Sequence, residues 1–300
     1  MTEIINIKTI SEAHRLLNVD KPVHPLVSVC RHIPQMNLDI TNVKVCFDFY
    51  IISLKCNIKG KINYGRNIYD FEEGTMIFAA PGQVFSITDE PIIDTEGWTI
   101  FIHPDLIRKS KLYQDIHKYE FFAYNANEAL HLSEMEKQSL AEIVQNIESE
   151  INQNLDRHSQ DLIIHNIESV LKYSQRFYDR QFLTRTNQNK DIITHFENYL
   201  NEYFTSEKLT TIGIPSAKQL GEHLNISGHY LSDLLKTETG KTAKEHIHLK
   251  LMDKAKNRLL NSNTSIKSLA YHLGFESPQY FSKLFKKKTG LSPSEYRNLN

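Results

Sequence analysis

The 300-residue sequence has little cysteine, no long apolar run and almost no net charge, and each shortage removes a class of protein. Its three cysteines, Cys30, Cys46 and Cys56, are odd in number and show no Cys-x-x-Cys spacing. They read as reduced thiols rather than as a disulfide framework or a zinc site. No apolar stretch approaches the roughly 20 residues needed to cross a bilayer, and Met1-Thr2-Glu3-Ile4 lacks the basic and apolar regions of a secretion signal. A cytoplasmic chain with no membrane partner is expected. There is also no Gly-rich phosphate loop and no nucleophile elbow.

What is present is ordinary in bulk: 40% apolar and 24% charged residues, with enough chain for one large or two ordinary domains. The charge is unevenly spread. Residues 214–300 hold 14 Lys/Arg against 7 Asp/Glu, a balance of +7, whereas residues 1–213 hold 21 against 29, a balance of −8. One basic end on a nearly neutral chain suits contact with a polyanion at that end alone, although a solvated basic face has the same composition.

Residues from about 23 to 103 contain short β-type runs. These are Val43–Ile52, Thr75–Phe78, Val84–Ile87 and Trp98–Ile102, punctuated by a polar turn at Asn57–Gly60 and by Pro81-Gly82; the pattern suggests a β-barrel or sandwich. Two amphipathic helices follow. The first, 134–155, carries Leu140, Ile143, Val144, Ile147, Ile151 and Leu155; the second, 160–178, carries Leu162, Ile163, Ile167, Val170, Leu171, Ser174 and Phe177. Such a pair can pack on its own domain, supply a dimer interface, or do both. The polar stretch 183–190 reads as a linker between a domain at 1–182 and one at 191–300. Beyond it Ile193, Phe196, Leu200 and Phe204 have helical spacing.

The C-terminal third contains an internal duplication. Ala217–Ile226 aligns with Ile266–Phe275 at an offset of 49, and Ser227–Gly240 aligns with Ser277–Gly290 at an offset of 50, so one residue is inserted in the second turn. Each copy reads as helix, tight turn, helix. Leu220 and Leu224, or Leu269 and Leu273, share one face, and Gly274 stands where the first helix must stop. Ile226 or Phe275 is the apolar turn residue. Ser227 and Ser277 suit the N-cap of the second helix, and Pro278 its first turn. Leu231, Leu234 and Leu235 form the inward stripe, matched by Phe281, Leu284 and Phe285. This leaves His229, Ser232, Asp233 and Lys236 outward in the first copy and Gln279, Ser282, Lys283 and Lys286 in the second, as a major-groove reader requires. Between the copies, Thr242–Leu260 reads as one helix about 28 Å long, with Ile247, Leu251, Ala255 and Leu259 inward. Adjacent major-groove segments on one face of B-DNA are roughly 34 Å apart, so this helix can hold two readers near both.

Residues 190–300 resemble the DNA-binding domain of the AraC/XylS family. The resemblance rests on Ile266-x-x-Leu269-Ala270-x-x-Leu273-Gly274-Phe275, then Tyr280-Phe281-Ser282-x-x-Phe285-Lys286-x-x-x-Gly290, then Ser292-Pro293-x-x-Tyr296-Arg297. It implies that His229, Ser232, Asp233, Gln279, Ser282 and Lys283 read bases in double-stranded promoter DNA. Asp233 departs from the family's usual basic or amide residue, and either accepts from cytosine or serves its own helix dipole. Ser227, Lys236, Ser277, Lys286, Lys287 and Lys288 suit phosphates, with a solvated helix end as the other reading of the three consecutive lysines.

The run Gly74–Gln83 resembles the cupin-like strands that precede many such domains. It implies an α+β protein of two domains: a cupin-like barrel with a trailing helix pair, then an all-α double helix-turn-helix. By the same resemblance the barrel binds a small effector and the helices dimerise. RNA polymerase is a further candidate partner. Phe47, Phe49, Tyr64, Phe78, Phe85 and Trp98 are the barrel-facing candidates for effector contact, and each can equally be a core side chain. A catalytic cupin needs two closely spaced histidines, a carboxylate and a third histidine. Here His24, His32 and His103 are far apart, and His246 and His248 do not face one another on a helix. No metal, cofactor or enzyme activity is expected. Two other readings remain beside a ligand-responsive regulator: an enzyme fused to a DNA-docking module, and a constitutive regulator whose barrel serves only for association.

Overall fold

The computed structural model describes residues 4–32, 44–56, 63–64, 67–68, 74–86, 96–125, 128–154, 156–184, 186–262 and 264–298. It forms two compact units, 1–184 and 185–300.

The first unit opens with β1 (Ile4–Ile7) and α1 (Ile10–Leu16), the latter closed by a capping box between Thr9 and Glu12. The β-region continues as β2 (Val27–Arg31), β3 (Lys44–Phe47), β4 (Tyr50–Cys56), β5 (Asn63–Tyr64), β6 (Asn67–Ile68), β7 (Thr75–Ala79), β8 (Val84–Ser86) and β9 (Glu96–Ile102). Two short helices, α2 (Pro104–Ile107) and α3 (Lys111–Asp115), lead to β10 (Leu130–His131). The strands make two five-stranded sheets, ordered β1-β3-β8-β5-β6 and β10-β7-β4-β9-β2. Among the described residues no strand pair joins one sheet to the other, so the expected barrel is not closed by hydrogen bonds. The single run expected at 43–52 breaks at Asp48-Phe49 into β3 and β4, which lie in different sheets. The turn expected at Asn57–Gly60 lies outside the described residues.

Alternation along the strands divides the side chains of the second sheet between two environments. Cys30, Ile51, Ala79 and Phe101 face inward and pack with Val45 and Phe49, joined by Ile10 and Ala13 of α1 and by the half-buried Phe47 and Phe85. Further along the same face, buried Thr99 meets His32 Nε2 at 2.8 Å and Ser53 Oγ at 2.7 Å. The opposite face carries Phe78, whose ring meets Phe121, Phe122 and Tyr178.

The helix pair appears as α4 (Glu134–Asn152) and α5 (Ser159–Thr184). The expected stripes are buried at Leu140, Val144, Ile147 and Ile151, and at Ile163, Ile167, Val170, Leu171, Ser174 and Phe177. Of the remaining stripe residues, Ile143 is half-buried, Leu162 is 49% exposed, and Leu155 lies outside the described residues. Arg31 donates to Glu148 Oε2 at 2.8 Å, and Arg180 to Glu136 Oε2 at 2.7 Å, so both helices are tied to this unit's own residues.

The polar stretch expected to be a linker is helical on both sides of residue 185. The helix α5 continues to Thr184, and α6 (Thr186–Thr205) begins two residues later. The polar composition is compatible with helix because α6 is largely exposed outside the buried Phe196, Leu200, Tyr203 and Phe204, and because buried Asn189 donates to Glu238 at 3.2 Å. The second unit continues with α7 (Lys208–Thr211), α8 (Ala217–His223), α9 (Gly228–Thr239), α10 (Ala243–Asn261), α11 (Ile266–His272), α12 (Pro278–Thr289) and α13 (Pro293–Arg297). No helix among the described residues is long and apolar enough to cross a membrane.

Candidate nucleic-acid interface

The duplicated segments fold into two helix-turn-helix units, α8–α9 and α11–α12, and the same local chemistry builds both. The first helix stops where a residue takes positive φ. This is Gly274 in the second unit (φ 79°) and Asn225 in the first (φ 58°), the two being equivalent at the offset of 49. Asparagine is one of the few residues that tolerates this region, and for that reason the first turn lacks the glycine signal. At Gly274 there is a second constraint. A Cβ there would lie 2.7 Å from Leu209 O, against the main chain of α7.

After the turn, Ser227 Oγ accepts from Tyr230 N at 3.0 Å and Ser277 Oγ from Tyr280 N at 3.3 Å, capping α9 and α12. Pro278 occupies the first turn of α12. The inward stripes are buried throughout: Leu231, Leu234 and Leu235 in α9, and Phe281, Leu284 and Phe285 in α12. Both helices end at a left-handed glycine, Gly240 (φ 75°) and Gly290 (φ 84°).

The duplication extends one helix further than the two-helix unit. Thr242 caps α10 with Glu245, and Ser292 caps α13 with Glu295, each through a reciprocal capping box. In both, the carboxyl sits below the usual carboxylate range, chiefly because the backbone N–H of the cap residue donates to it. The helix α10 buries Ile247, Leu251, Met252, Ala255 and Leu259, the expected stripe with Met252 added. Arg297 Nη2 donates to Thr264 O at 2.6 Å, tying α13 back to the segment before α11.

The two units are packed differently. In the first, Gly221 and Gly228 bring α8 and α9 so close that a Cβ on Gly221 would meet Ile226 O at 2.7 Å, and one on Gly228 would meet Lys218 N at 2.7 Å. The equivalent residues in the second unit are Ala270 and Pro278, and Glu276 is the inserted residue. Larger side chains at the crossing and a longer turn go together, as close packing requires.

The structure places the sequence-derived DNA candidates on the outer faces of α9 and α12. His229, Lys236, Gln279, Lys283, Lys286, Lys287 and Lys288 are exposed, and Ser227, Ser232, Asp233, Ser277 and Ser282 are half-buried. Several already have partners within their own helix. Ser277 Oγ donates to Gln279 Oε1 at 3.0 Å, and Ser282 Oγ donates to Pro278 O at 3.0 Å.

The effector candidates do not form one group. Phe47, Phe49 and Phe85 meet one another between the sheets, with Phe47–Phe49 and Phe47–Phe85 ring centroids at 5.4 and 5.7 Å. Phe78 lies on the other face, and the pairing of Leu54 with both Met76 and Trp98 puts Trp98 on that face too. Neither is inward-facing, because the inner register of β7 and β9 falls on Ile77, Ala79, Thr99 and Phe101. The Tyr64 side chain is outside the described residues. Sequence reasoning named His32 only as an isolated histidine and missed that it joins Ser53 and Thr99 in an inward polar group. Among the described residues no group of three His, Cys, Asp or Glu could hold a metal ion. Cys30 approaches His14 Nε2 at 3.3 Å, but burial pushes its thiol up to about 11, so it stays protonated near neutrality.

Residues 220–299 match a family model described as a helix-turn-helix domain. The C-terminal unit therefore carries a helix-turn-helix domain. The chain is 32% identical over 146 residues to the uncharacterized HTH-type transcriptional regulator YfiF of Bacillus subtilis, covering 48% of this chain and 43% of that protein. It is 38% identical over 78 residues to the raffinose operon transcriptional regulatory protein RafR of Pediococcus pentosaceus, covering 26% and 28%. The chain thus spans less than half the length of either relative. A similar solved structure is the C-terminal domain of the two-component response regulator yesN from Fusobacterium nucleatum, 30% identical, covering 34% of this chain and 94% of that one with a TM-score of 0.31.

Proposed function

We propose that this chain is a sequence-specific, AraC-type regulator of transcription that docks on promoter DNA through α9 and α12. The observation that carries the reading is the duplication itself: two capped second helices, each burying a three-residue apolar stripe and presenting polar residues outward. His229, Ser232, Asp233, Gln279, Ser282 and Lys283 are the proposed base readers. Ser227, Lys236, Ser277, Lys286 and Lys287 are the proposed phosphate contacts. Selection of duplexes from a random pool on the full chain tests this: an enriched motif supports it, and enrichment of no sequence contradicts it.

Lys286→Ala isolates the phosphate assignment. This lysine is exposed on α12, one turn beyond Ser282. Removing one phosphate contact weakens binding to all duplexes alike and lowers the slope of log K against log salt by about 0.9. An unchanged slope would show that Lys286 meets no phosphate.

The N-terminal unit is proposed to form a cupin-like effector domain that responds to a small molecule, with α4 and α5 contributing to a homodimer and RNA polymerase as a downstream partner. Support for the effector comes from the inward His32–Thr99–Ser53 cluster beside an aromatic lining of Phe47, Phe49 and Phe85. A pocket combining apolar walls with a few fixed polar groups is the usual form of a ligand site. A cytoplasmic location fits this role.

A further inference from the structure

The two recognition helices carry a tyrosine at the same position, and the fold treats the two differently. Tyr230 of α9 is 5% exposed, whereas Tyr280 of α12 is 54% exposed. The cause lies at the helix crossing. The glycine pair Gly221 and Gly228 draws α8 onto α9 and encloses Tyr230. The alanine, proline and inserted Glu276 of the second unit leave Tyr280 outside, its ring 6.0 Å from that of Phe275.

Tyr280 also has different company. Positions i, i+3 and i+7 share a helix face, which aligns Tyr280 with exposed Lys283 and Lys287. The corresponding stripe of α9 is Tyr230, Asp233 and Thr237. The second unit therefore sets an exposed aromatic ring one turn before a proposed base reader, Lys283, and a proposed phosphate contact, Lys287, whereas the first places an acid, Asp233, where Lys283 stands. Tyr280 further lines a cavity of about 710 Å³ whose walls include Ile212, Tyr271 and Ser277. An exposed ring on the same face as two lysines suits a nucleic acid, whose phosphates can meet the lysines while the apolar methyl of a base edge meets the ring.

We infer that Tyr280 is a specificity residue of the second unit, its ring seated against the C5 methyl of a thymine in the major groove, a contact that the first unit lacks. The thymine methyl is the one apolar group that base edges present in that groove. This inference rests on the DNA-binding reading, and the experiment separates the two. Full-length wild type is used to select a duplex from a random pool, and each thymine of that duplex is then replaced singly by deoxyuridine, which removes only the methyl.

Wild type should lose about fourfold in affinity at one or two of these positions, the worth of one buried methyl, and Tyr280→Phe should behave like wild type. Tyr280→Ala should bind the parent duplex about fivefold to 150-fold more weakly, the range of a good base contact, and should be indifferent to deoxyuridine at those positions. Because Tyr280 is over half exposed, its truncation leaves the core in place, and an unchanged melting midpoint checks this. If wild type selects a motif but Tyr280→Ala keeps the full deoxyuridine penalty, the inference is overturned and the DNA-binding reading stands. If Tyr280→Phe is as weak as Tyr280→Ala, the hydroxyl makes the contact and the ring assignment is overturned. If no motif is selected, both fall together.

Discussion

Gly274→Ala is expected to lower the thermal midpoint of the C-terminal unit by about 10–20 °C, at a few degrees per kcal/mol for a unit of this size. Two costs add at this position. A non-glycine residue held at positive φ (79° here) loses about 1–3 kcal/mol. The new Cβ would also sit 2.7 Å from Leu209 O and 3.0 Å from Gly213 C, an overpacking cost of about 1–3 kcal/mol because main chain cannot move aside as a side chain can. Gly290→Ala provides the control. Its φ is 84°, but nothing lies within 4 Å of the added carbon, so only the first cost applies and the shift should be about half as large. Circular dichroism follows the helices, while Trp98, the sole tryptophan, reports separately on the N-terminal unit and should keep its own transition. Equal midpoints for the two variants would show that α7 does not crowd the second turn.

The second large effect is on selectivity rather than stability. Gln279→Ala combined with Lys283→Ala removes two exposed side chains from α12 and touches none of its buried stripe of Phe281, Leu284 and Phe285. Each good bidentate base contact discriminates by about 1–3 kcal/mol, so the double variant should lose a factor of roughly 30 to a few tens of thousands between its preferred duplex and a scrambled one. Affinity for the scrambled duplex should fall much less, since phosphate contacts from Lys286 and Lys287 remain. Measured side by side on the two duplexes, an unchanged ratio would remove α12 from the reading surface.

Much of the second unit was legible in the sequence because its signals are local. Ser227, Ser277 and Pro278 mark helix starts, Gly240 and Gly290 mark helix ends, and the spacing of Leu231, Leu234 and Leu235 marks the buried face. What the sequence hid there was tertiary. Asn225 performs the turn that Gly274 performs in the other copy, and no rule of composition distinguishes it from a loop asparagine. The opposite fates of Tyr230 and Tyr280 depend on how closely two helices cross, which identical tyrosines cannot reveal.

The N-terminal unit was less legible for a different reason. A strand's two faces are told apart by alternation, but β4 and β7 are buried on both faces. The inner and outer sets then look alike, and Phe78 and Trp98 fall on the face opposite to the one expected. The expected linker, 183–190, contains the boundary between the two units but is helical on both sides of residue 185: polar residues signal exposure, and exposed helix satisfies that as well as a loop does.

The central claim is that one chain docks twice on one face of DNA, with α10, of 19 residues and about 28 Å, holding the two readers. Hydroxyl-radical footprinting of the full-length protein on its selected duplex tests this most directly. Two protected segments about 10 base pairs apart on the same face are predicted, with Tyr280→Ala and the Gln279/Lys283 double variant altering only the segment read by α12. A single protected segment, or protection that does not depend on sequence, would contradict the account.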